Sequence, residues 1–586
     1  MEQWIEIRKG GDFTEIGRHF GIDPVMARIL RNREVTGEAE IEAYLHGTLK
    51  DLHSPHLMKD MDKAVELITR KIAEGKKLRI IGDYDIDGVN ATYILLKALQ
   101  KCGACVDYAI PNRITDGYGI NKNLIERAVE AGVDTVITCD NGIAAIEEIA
   151  YAKAKGMTVI VTDHHDIPFE ERDGEKHYKK SMADAVINPK QQECTYPYKE
   201  LCGAAVAFQF VRALYEKQGR KEQEALEFLE NAAFATVGDV MELTGENRIL
   251  VREGLKALRQ TKNPGMQALI LQNELDFERI NTYHIGFVLG PCINASGRLD
   301  TAEDALRLLC ETDVGKAAAI AKRLIDLNTQ RKELTAHYLE QAMQQIEDEQ
   351  LLEDKVLVVY LPECHESLAG IIAGRIRERY YRPVLVLTKG EEGVKGSGRS
   401  IEEYSMYEEL NRVSDLFTKF GGHPMAAGLS MEEDRVEEFR QRINEGCTLT
   451  EKDLTEKVRI DMALPIGYAG LSLVEELQEL EPFGKGNTKP LFADRNLHVR
   501  SARAVGQNGT VVRMELAGED GRNHPAVYFG DSGQFFDYLT EKFGAAEVDA
   551  VKRNRGNSVT ISIVYELGVN EYRNERTLQL VIRRYR

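Results

Sequence analysis

The chain has 586 residues, several times the length of an ordinary domain, so we expect two to four folding units. Its 43% hydrophobic and 29% charged residues are typical of a folded globular protein and exclude a fibrous or disordered chain. The net charge of −19 means that local basic surface must hold any nucleic acid, because the field of the whole chain repels a polyanion.

Neither a membrane span nor a secretion signal is evident in the sequence. Its apolar runs are too short to cross a bilayer, and its start lacks the basic and apolar regions of a signal peptide. The nine cysteines, an odd number, fit a reducing compartment better than a disulfide framework. We therefore expect a cytoplasmic protein without a membrane partner.

The first half of the chain predicts an α/β domain after a short lead-in. Residues 1–50 look mostly helical. The next predicted elements, in chain order, are a strand at 77–82, a helix at 91–101, a strand at 133–138, a helix at 147–155 and a strand at 157–161. Strands separated by helices indicate a parallel sheet covered on both faces. We expect this domain to cover residues 51–314, with helices predominating after 203.

The second half predicts a connecting helix and two further domains. A polar, charge-rich stretch favours a long helix over 315–351. Strands at 355–360 and 383–388, with a helix between them, indicate a second α/β domain over 352–460. From 461 to 586, short strands with glycine-rich turns favour an antiparallel β barrel or sandwich.

Acidic and imidazole side chains follow three of the predicted strands. Asp83, Asp85 and Asp87 alternate directly after the first strand, and in an extended segment this spacing puts three carboxylates on one side. The groups that follow the second and third strands are Asp140, Asp163, His164 and His165. Because the carboxyl ends of parallel strands meet in one crevice, we expect these groups to converge.

This combination predicts a site for divalent metal ions. Carboxylates at such density repel one another unless cations neutralise them. Oxygen ligands with one or two imidazoles favour Mn²⁺ over Mg²⁺. A single aspartate after a strand is more often a helix cap or turn residue, so the prediction depends on all three strand ends together.

Two motifs carry a family resemblance. Asp83-Tyr84-Asp85-Ile86-Asp87-Gly88 and Asp163-His164-His165 resemble the DHH phosphoesterase superfamily, and within it the RecJ branch of single-strand-specific 5′→3′ DNA exonucleases. Further RecJ-like segments follow in the expected order, at 111–113, 235–239, 294–298, 396–400, 421–428 and 481–487. The resemblance covers about residues 50–586. It implies a DHH catalytic domain, a DHH-associated α/β domain and a terminal OB-fold.

The resemblance also implies roles for individual residues. The implied ligands of one or two Mn²⁺ or Mg²⁺ ions are Asp85, Asp87, Asp140, His164 and Asp239. Asp83 and His165 would be further catalytic groups, with Asp83 substituting for a histidine that other branches place at the position of Ile81. The residues implied to bind the 5′ end of the strand are Arg113, Arg298, Ser397, Arg399 and His423.

The chemistry of a phosphate site agrees with these last residues. Guanidinium groups form bidentate hydrogen bonds to a terminal phosphate. The glycines that flank Ser397 and Arg399 would let backbone N–H groups approach the same oxygens. The alternatives are structural salt bridges for the arginines and a simple tight turn at 421–423.

The C-terminal β region offers a second surface for a single strand. OB-folds bind single strands through a basic groove and aromatic stacking. Basic clusters occur at 552–555 and 583–586, and the candidate stacking side chains are Tyr528, Phe529, Phe535 and Phe536. Phenylalanine at a strand position is more often part of the core, which is the alternative for each of them.

The sequence thus predicts a two-metal-ion exonuclease that releases 5′-mononucleotides from single-stranded DNA in repair and recombination. One alternative is another DHH phosphoesterase, acting on short oligonucleotides or cyclic dinucleotides; such enzymes commonly lack the terminal β domain. A second is a non-catalytic RecJ-like scaffold, which would have lost metal ligands that this chain retains. The expected partners are single-stranded DNA with a 5′ end and, by family resemblance, a single-strand-binding protein and a helicase. We expect a monomer.

Overall fold

The computed structural model describes residues 2–113, 116–117, 119–172, 175–390, 393–506, 509–572 and 575–586. The chain divides into two compact units. The first unit comprises residues 52–241 and 249–456, and the second comprises residues 2–51, 242–248 and 457–586. The domain boundaries predicted from the sequence remain predictions.

The strands fall into several sheets that alternate with helices along the chain. Among the described residues the strands are β1 Glu2–Glu6, β2 Lys77–Ile81, β3 Cys105–Ala109, β4 Thr135–Cys139, β5 Thr158–Thr162, β6 Phe169–Arg172, β7 Glu175–Tyr178, β8 Ala185–Ile187, β9 Leu357–Tyr360, β10 Val384–Lys389, β11 Val394–Arg399, β12 Lys419–His423, β13 Ala426–Met431, β14 Glu456–Ile460, β15 Met462–Ala463, β16 Phe492–Val505, β17 Val511–Ala517, β18 Asn523–Phe529, β19 Thr560–Tyr572 and β20 Glu575–Tyr585.

The helices of the same residues are α1 Phe13–Phe20, α2 Pro24–Asn32, α3 Glu38–His46, α4 Met61–Ala73, α5 Ile86–Lys101, α6 Lys122–Glu130, α7 Ile146–Ala154, α8 Gly203–Lys217, α9 Glu222–Ala225, α10 Leu229–Gly238, α11 Gly245–Arg259, α12 Pro264–Gln272, α13 Thr282–His284, α14 Gly290–Leu299, α15 Glu303–Cys310, α16 Val314–Asp348, α17 Glu366–Tyr380, α18 Met406–Arg412, α19 Val436–Glu445, α20 Leu471–Gln478, α21 Ser532–Phe543 and α22 Ala545–Lys552. A π-helical turn, Ile285–Leu289, joins α13 to α14 without a break.

The first sheet of the first unit confirms the predicted parallel α/β arrangement. Its order is β3-β2-β4-β5-β8, and every pairing is parallel. All five residues of β4 are buried, as a parallel sheet covered on both faces requires. The apolar faces of α6 and α7 share a core with β4 and β5, whereas α5, α8 and α10 pack on one another. The carboxyl ends of β2, β4 and β5 therefore lie side by side.

The second sheet of the first unit corrects one expectation about residues 396–398. The sheet order is β12-β13-β11-β10-β9, with only the β9–β10 pair parallel. The glycine-rich run lies within β11, an interior strand whose backbone groups pair with β10 and β13, so it is not a loop of free N–H groups. Residues 421–423 belong to β12, so the tight-turn alternative for them is wrong.

The long helix α16 confirms the predicted connecting helix. It has 35 residues, which corresponds to a length of about 50 Å. Asp313 caps its start by accepting a hydrogen bond from the backbone N–H of Lys316. It packs against α12 and α14, which precede it in the chain, and against α17, which follows it. It therefore links the two sheets of the first unit.

The second unit contains a closed five-stranded barrel. Its strands follow the order β16-β17-β18-β20-β19, and β16 pairs with β19 to close it. The β18–β20 pair is parallel, so the barrel is not wholly antiparallel as expected. The N-terminal helices share its hydrophobic core, to which Met26 and Ile29 contribute together with Phe492 and Tyr565.

Two of the four candidate stacking side chains belong to this core. Phe535 and Phe536 lie on α21 and are buried, so the prediction that they stack on bases is wrong. Both rings belong to the hydrophobic core of the barrel, where an aromatic side chain removes a large apolar area from water. Phe529 is 60% exposed and remains a candidate.

None of the helices in the described ranges combines the length and the apolar character needed to cross a membrane. Even α16, the 35-residue helix, carries charged residues throughout.

Candidate metal centre and adjoining cleft

The first acidic motif lies where β2 turns into α5. Asp85 is the N-cap of α5, and its Oδ1 accepts hydrogen bonds from the N–H groups of Asp87 (2.9 Å) and Gly88 (3.1 Å). The segment is therefore a strand-to-helix turn, and not the extended run that the alternation suggested. A Cβ on Gly88 would lie 2.6 Å from the backbone of Asp83, so this close turn requires glycine.

The start of α8 holds the carboxylate of Asp87. Its Oδ2 accepts a hydrogen bond from Gly203 N–H (2.6 Å), and its Oδ1 accepts one from Ala204 N–H (2.7 Å). A helix N-terminus stabilises such a negative charge. Gly203 also leaves room for Asp140, since a Cβ at Gly203 would lie 2.6 Å from the Asp140 Cβ. Sequence reasoning missed both α8 residues, because nothing local links them to a partner more than a hundred positions away.

Asp163 orients the histidine pair that follows β5. Its Oδ1 accepts hydrogen bonds from His164 N–H (2.7 Å) and lies 2.8 Å from His165 Nδ1, and its Oδ2 accepts one from Ile143 N–H. Burial opposes both shifts, but this contact with His165 lowers the pKa of Asp163 to about 2 and raises the pKa of His165 to about 9. Asp163 thus fixes the ring of its neighbour.

The predicted metal-binding and catalytic residues come together at this edge of the sheet. His164 Nε2 lies 3.1 Å from Asp140 Oδ1, 3.6 Å from Asp87 Oδ2 and 3.9 Å from Asp239 Oδ2. Three overlapping groups each have their ligand atoms within 4.8 Å of one another, namely Asp140 with His164 and His165, Asp87 with His164 and Asp239, and Asp83 with Asp85 and Asp140. The structure therefore brings all seven residues into one cluster.

The electrostatics of the cluster fit divalent cations. Burial, followed by repulsion from neighbouring carboxylates, raises the pKa of Asp83, Asp85 and Asp140. Burial lowers the pKa of His164, which favours the neutral imidazole that a metal requires. Among the described residues, Asp83 Oδ1 and His164 Nδ1 are buried without a hydrogen-bond partner. Buried carboxylates crowded around a neutral imidazole are suitable ligands for Mn²⁺ or Mg²⁺.

A cleft of about 460 Å³ adjoins this cluster within the first unit. Residues from both sheets line it, including Tyr84, Arg113, Ser367, Lys395, Ser397 and Lys419. The guanidinium of Arg113 lies 5.0 Å from the ring centre of Tyr84, the residue between two of the clustered acids. Arg298 Nη1 donates a hydrogen bond to the Ser367 carbonyl oxygen at 2.9 Å. Through Tyr84, the cleft therefore borders the turn that carries Asp83 and Asp85.

Guanidinium groups crowd one another beside this cleft. Burial, with the nearby charges of Arg113 and Arg331, lowers the pKa of Arg298 to about 10. Burial, with the charges of Arg377 and Arg113, also lowers the pKa of Arg399. Such mutual repulsion favours an anion at this place. Sequence reasoning missed the contributions of Arg331, Arg377, Lys395 and Lys419, because they stand outside the motifs that drew attention. It also gave no role to Tyr84, although this residue lies inside the first motif.

His423 lies apart from the other predicted anchor residues. It is exposed at the end of β12 and is not among the described residues that line the cleft. A hydrogen bond from Lys190 lowers the pKa of Asp166, and the charge of His423 adds to this effect. His423 therefore lies near the loop that follows the histidine pair.

Three regions of the chain match known protein families. Residues 77–236 match the DHH family, N-terminal domain; residues 353–448 match the DHHA1 domain; and residues 460–584 match the RecJ OB domain. The parallel sheet with acids and histidines at its carboxyl edge, joined to the second sheet, thus defines a DHH-type phosphoesterase architecture.

Relatives over the full length identify the branch. The chain is 34% identical to the single-stranded-DNA-specific exonuclease RecJ of Bacillus subtilis (strain 168), over 96% of this chain and 68% of that protein. It is 32% identical to the RecJ of Escherichia coli (strain K12), over 99% of both. The chain belongs to the RecJ family of single-stranded-DNA-specific exonucleases. The family predicted from the motifs is confirmed.

Solved structures confirm the predicted fold. RecJ from Thermus thermophilus in complex with Mn²⁺ superposes with a TM-score of 0.79 and 27% sequence identity, covering 100% of this chain and 79% of that one. An exonuclease RecJ bound to manganese matches with a TM-score of 0.57 and 34% identity, over 66% of this chain and 94% of that one. The Thermus protein has also been solved in complex with Mg²⁺.

Proposed function

We propose that this chain removes 5′-mononucleotides one at a time from single-stranded DNA, in the 5′→3′ direction and with divalent metal ions. One observation carries the proposal: Tyr84, which lies between two carboxylates of the cluster, also lines a cleft together with the basic side chains Arg113, Lys395 and Lys419. Tyr84 connects the two, because it lies between Asp83 and Asp85 and contacts Arg113. A strand anchored by its 5′ end in this cleft presents its first linkage to the cluster.

The ligands that we propose for one or two Mn²⁺ or Mg²⁺ ions are Asp85, Asp87, Asp140, His164 and Asp239. The relatives solved with Mn²⁺ and Mg²⁺ support this choice of ions. Bound divalent cations supply a nucleophilic water at neutral pH and stabilise charge on the phosphate. Asp83 adds a further carboxylate next to these ligands.

The chain's own residues would hold the substrate and control its orientation. Arg113, Arg298 and Arg399 would bind the terminal phosphate, with Ser397 adding a hydroxyl donor from β11. Asp163 holds His165 through Nδ1, so Nε2 is the nitrogen of that ring that would contact the phosphate. His423, near Asp166, would make a further contact with the strand.

The biological setting that we propose is the repair and recombination of DNA in the cytoplasm. All nine cysteines are free, which supports a reducing compartment. The predicted single-strand-binding protein, the helicase and the monomeric state remain expectations from the family.

The test uses single strands and blunt duplexes labelled at either the 5′ or the 3′ end, incubated with Mn²⁺ or with EDTA. We expect Mn²⁺-dependent release of labelled mononucleotide from the 5′-labelled single strand at the first turnover. The duplex and the EDTA samples should stay intact. Equal attack at both ends, or cleavage of dinucleotides alone, would favour another phosphoesterase activity over the proposed one.

A pair of variants separates catalysis from folding in this assay. Asp140→Asn removes a buried negative charge of the cluster without straining the left-handed backbone there, and it should abolish cleavage while DNA binding persists. Asp326→Asn removes an exposed carboxylate charge of α16 and serves as the matched control, which should cleave like the parent chain. An active Asp140→Asn variant would contradict the proposed metal ligands.

A further inference from the structure

A continuous helical rod, defined here as residues 282–299, runs beside the first acidic motif. It consists of α13, the π-helical turn and α14 without interruption. Near its C-terminal end, a Cβ on Gly297 would lie only 2.4 Å from the Tyr84 carbonyl oxygen. Further back, Asn294 Oδ1 accepts a hydrogen bond from Ile86 N–H at 2.8 Å. The rod is thus attached to the segment that carries Asp85 and Asp87.

The other end of α14 contacts the same segment. A Cβ on Gly290 would lie 3.1 Å from Ile86 Cδ1, and one on Gly238, at the end of α10, would lie 2.3 Å from the same atom. Ile86 is therefore enclosed between the rod and the helix that leads into Asp239. Positions 290, 294 and 298 recur at a spacing of four within α14, so they share one face of this helix.

This geometry gives the rod a direction relative to the substrate. Arg298, at one end, reaches Ser367 beside the cleft in which the 5′ end is proposed to bind. The acidic motif lies along the middle, at Asn294 and Gly290. Phe287 lies eleven residues before Arg298, a distance of about 16 Å along a helix, on the far side of the acidic motif.

Two aromatic rings are exposed at that far end. Tyr283 and Phe287 are 61% and 65% exposed, and their rings stack with centroids 5.1 Å apart and planes inclined by 28°. Val240, directly after Asp239, is also 62% exposed and has a left-handed φ of 57°, which is unfavourable for a β-branched residue. Large exposed apolar groups next to a functional centre commonly mark a contact surface.

We propose that Tyr283 and Phe287 form a stacking platform for the bases of single-stranded nucleic acid on the 3′ side of the cleaved linkage. The inference rests on the proposed function, because the anchored 5′ end defines which side is 3′. Stacking on aromatic rings suits this task, since every base has a π face and the enzyme must accept any sequence. The occupant is nucleic acid because the same rod contacts Ser367, which lines the cleft, and Ile86 in the turn that carries Asp85 and Asp87.

The experiment measures steady-state cleavage by the full chain with the double variant Tyr283→Ala/Phe287→Ala. The matched control is Phe169→Ala/Tyr178→Ala, which removes an exposed aromatic pair with centroids 5.8 Å apart on the separate β6–β7 hairpin. The substrates are 5′-phosphorylated oligothymidylates of two and twenty nucleotides with Mn²⁺. We expect the KM for the 20-mer to rise about 5- to 100-fold, as loss of base stacking predicts, with kcat unchanged.

The dinucleotide should discriminate stacking from a general defect, because it is too short to span from the anchor to the platform. Its kcat/KM should be the same for the parent chain, the double variant and the control. An abasic 20-mer, with sugar and phosphate but no bases beyond the third position, should raise the KM of the parent chain and have little further effect on the double variant. Tyr283→Phe/Phe287→Tyr, which keeps both rings, should restore the parent KM.

Three results would overturn the inference. These are an unchanged KM for the 20-mer, an equal loss on the dinucleotide, or additive losses from the variant and the abasic substrate. An unchanged KM together with normal activity of the parent chain would leave the proposed function intact and mark the aromatic pair as a surface for a protein. A parent chain that is inactive on every substrate would instead contradict the proposed function.

Discussion

Burial raises the pKa of carboxyl groups both at the candidate metal site of this molecule and away from it. At the metal centre, Asp83, Asp85 and Asp140 are buried together, so that their charge is disfavoured until cations neutralise it. Glu230, in α10, is also buried, and its Oε1 accepts a hydrogen bond from the Thr261 hydroxyl. Burial raises the pKa of Glu230 to about 7, although this hydrogen bond opposes the shift. Glu230 does not belong to any of the candidate metal-binding groups among the described residues.

Glu230 gives a prediction about stability and pH. Below its ordinary pKa of 4.5 both the folded and the unfolded chain hold the proton, but between 4.5 and about 7 only the folded chain does. Ionisation therefore reduces the stability as pH rises through this range, by an amount on the order of 3 kcal/mol. Glu230→Gln cannot ionise and should become more stable than the parent chain as pH increases.

The measurement is urea unfolding of both proteins at pH 5 and pH 8. The difference in unfolding free energy, variant minus parent, should be larger at pH 8. Glu253→Gln changes a solvent-accessible carboxylate of α11 with ion-pair partners, and its difference should not follow the same trend. A Glu230→Gln difference that is equal at the two pH values would show that the carboxyl is not held neutral by burial.

At the scale of elements, the packing of α17 against β11 determines where the guanidinium of Arg399 lies. A Cβ on Gly370 would come within 2.8 Å of Arg399 Nη2, whereas a Cβ on Gly374, one turn later on the same helix, would meet nothing within 4 Å. The two glycines thus lie on the same helix, but only Gly370 is next to Arg399. Comparing an alanine at each position therefore tests the position of the Arg399 guanidinium separately from the stability of the helix.

Gly370→Ala should therefore weaken recognition of a 5′ phosphate. The new methyl group pushes the Arg399 guanidinium aside, so the ratio of kcat/KM for 5′-phosphorylated over 5′-hydroxyl strands should fall about tenfold, the equivalent of one charge-assisted hydrogen bond. Gly374→Ala should leave the ratio unchanged and add slight helix stability. Equal ratios for both variants and the parent chain would place the phosphate away from Arg399.

The sequence predicted most of these elements because their signals are local. The apolar runs of β2, β4 and β5 and the acids that follow them indicate both the parallel sheet and the metal centre. The N–H groups of Gly203 and Ala204 could not be foreseen, because their contact with Asp87 exists only after α8 packs against α5. The interior position of β11 was missed for a related reason, because its glycines suit a loop. In the strand, Leu387 and Leu429 leave no room for a side chain at Gly396, and Met406 lies close to Gly398.

For the whole molecule, the carboxylates of the metal centre are expected to lower the stability of the metal-free protein, although function requires them. The ionised carboxylate of Asp140 is disfavoured by burial and by the charges of Asp87, Asp85 and Asp83. Removing that charge should therefore stabilise the metal-free protein while it removes a ligand. Asparagine is the suitable replacement, because residue 140 has a φ of 60° and asparagine tolerates this left-handed conformation.

Thermal unfolding at pH 8 tests this conflict. In EDTA, Asp140→Asn should melt above the parent chain, by roughly 1 °C for each kcal/mol of repulsion removed in a unit of this size. Added Mn²⁺ should raise the melting temperature of the parent chain more than that of the variant, because only the parent chain keeps the full ligand set. A variant that melts lower in EDTA, or that gains equally from Mn²⁺, would contradict the proposed role of Asp140.

The most direct measurement is the anomalous scattering of manganese in crystals of this protein soaked with Mn²⁺. We expect one or two peaks at the carboxyl edge of the first sheet, within bonding distance of the side chains of Asp85, Asp87, Asp140, His164 and Asp239. The same soak of Asp140→Asn crystals should lose at least one peak or reduce its occupancy. Manganese bound elsewhere, or no peak among these side chains, would contradict the metal centre and the nuclease mechanism built on it.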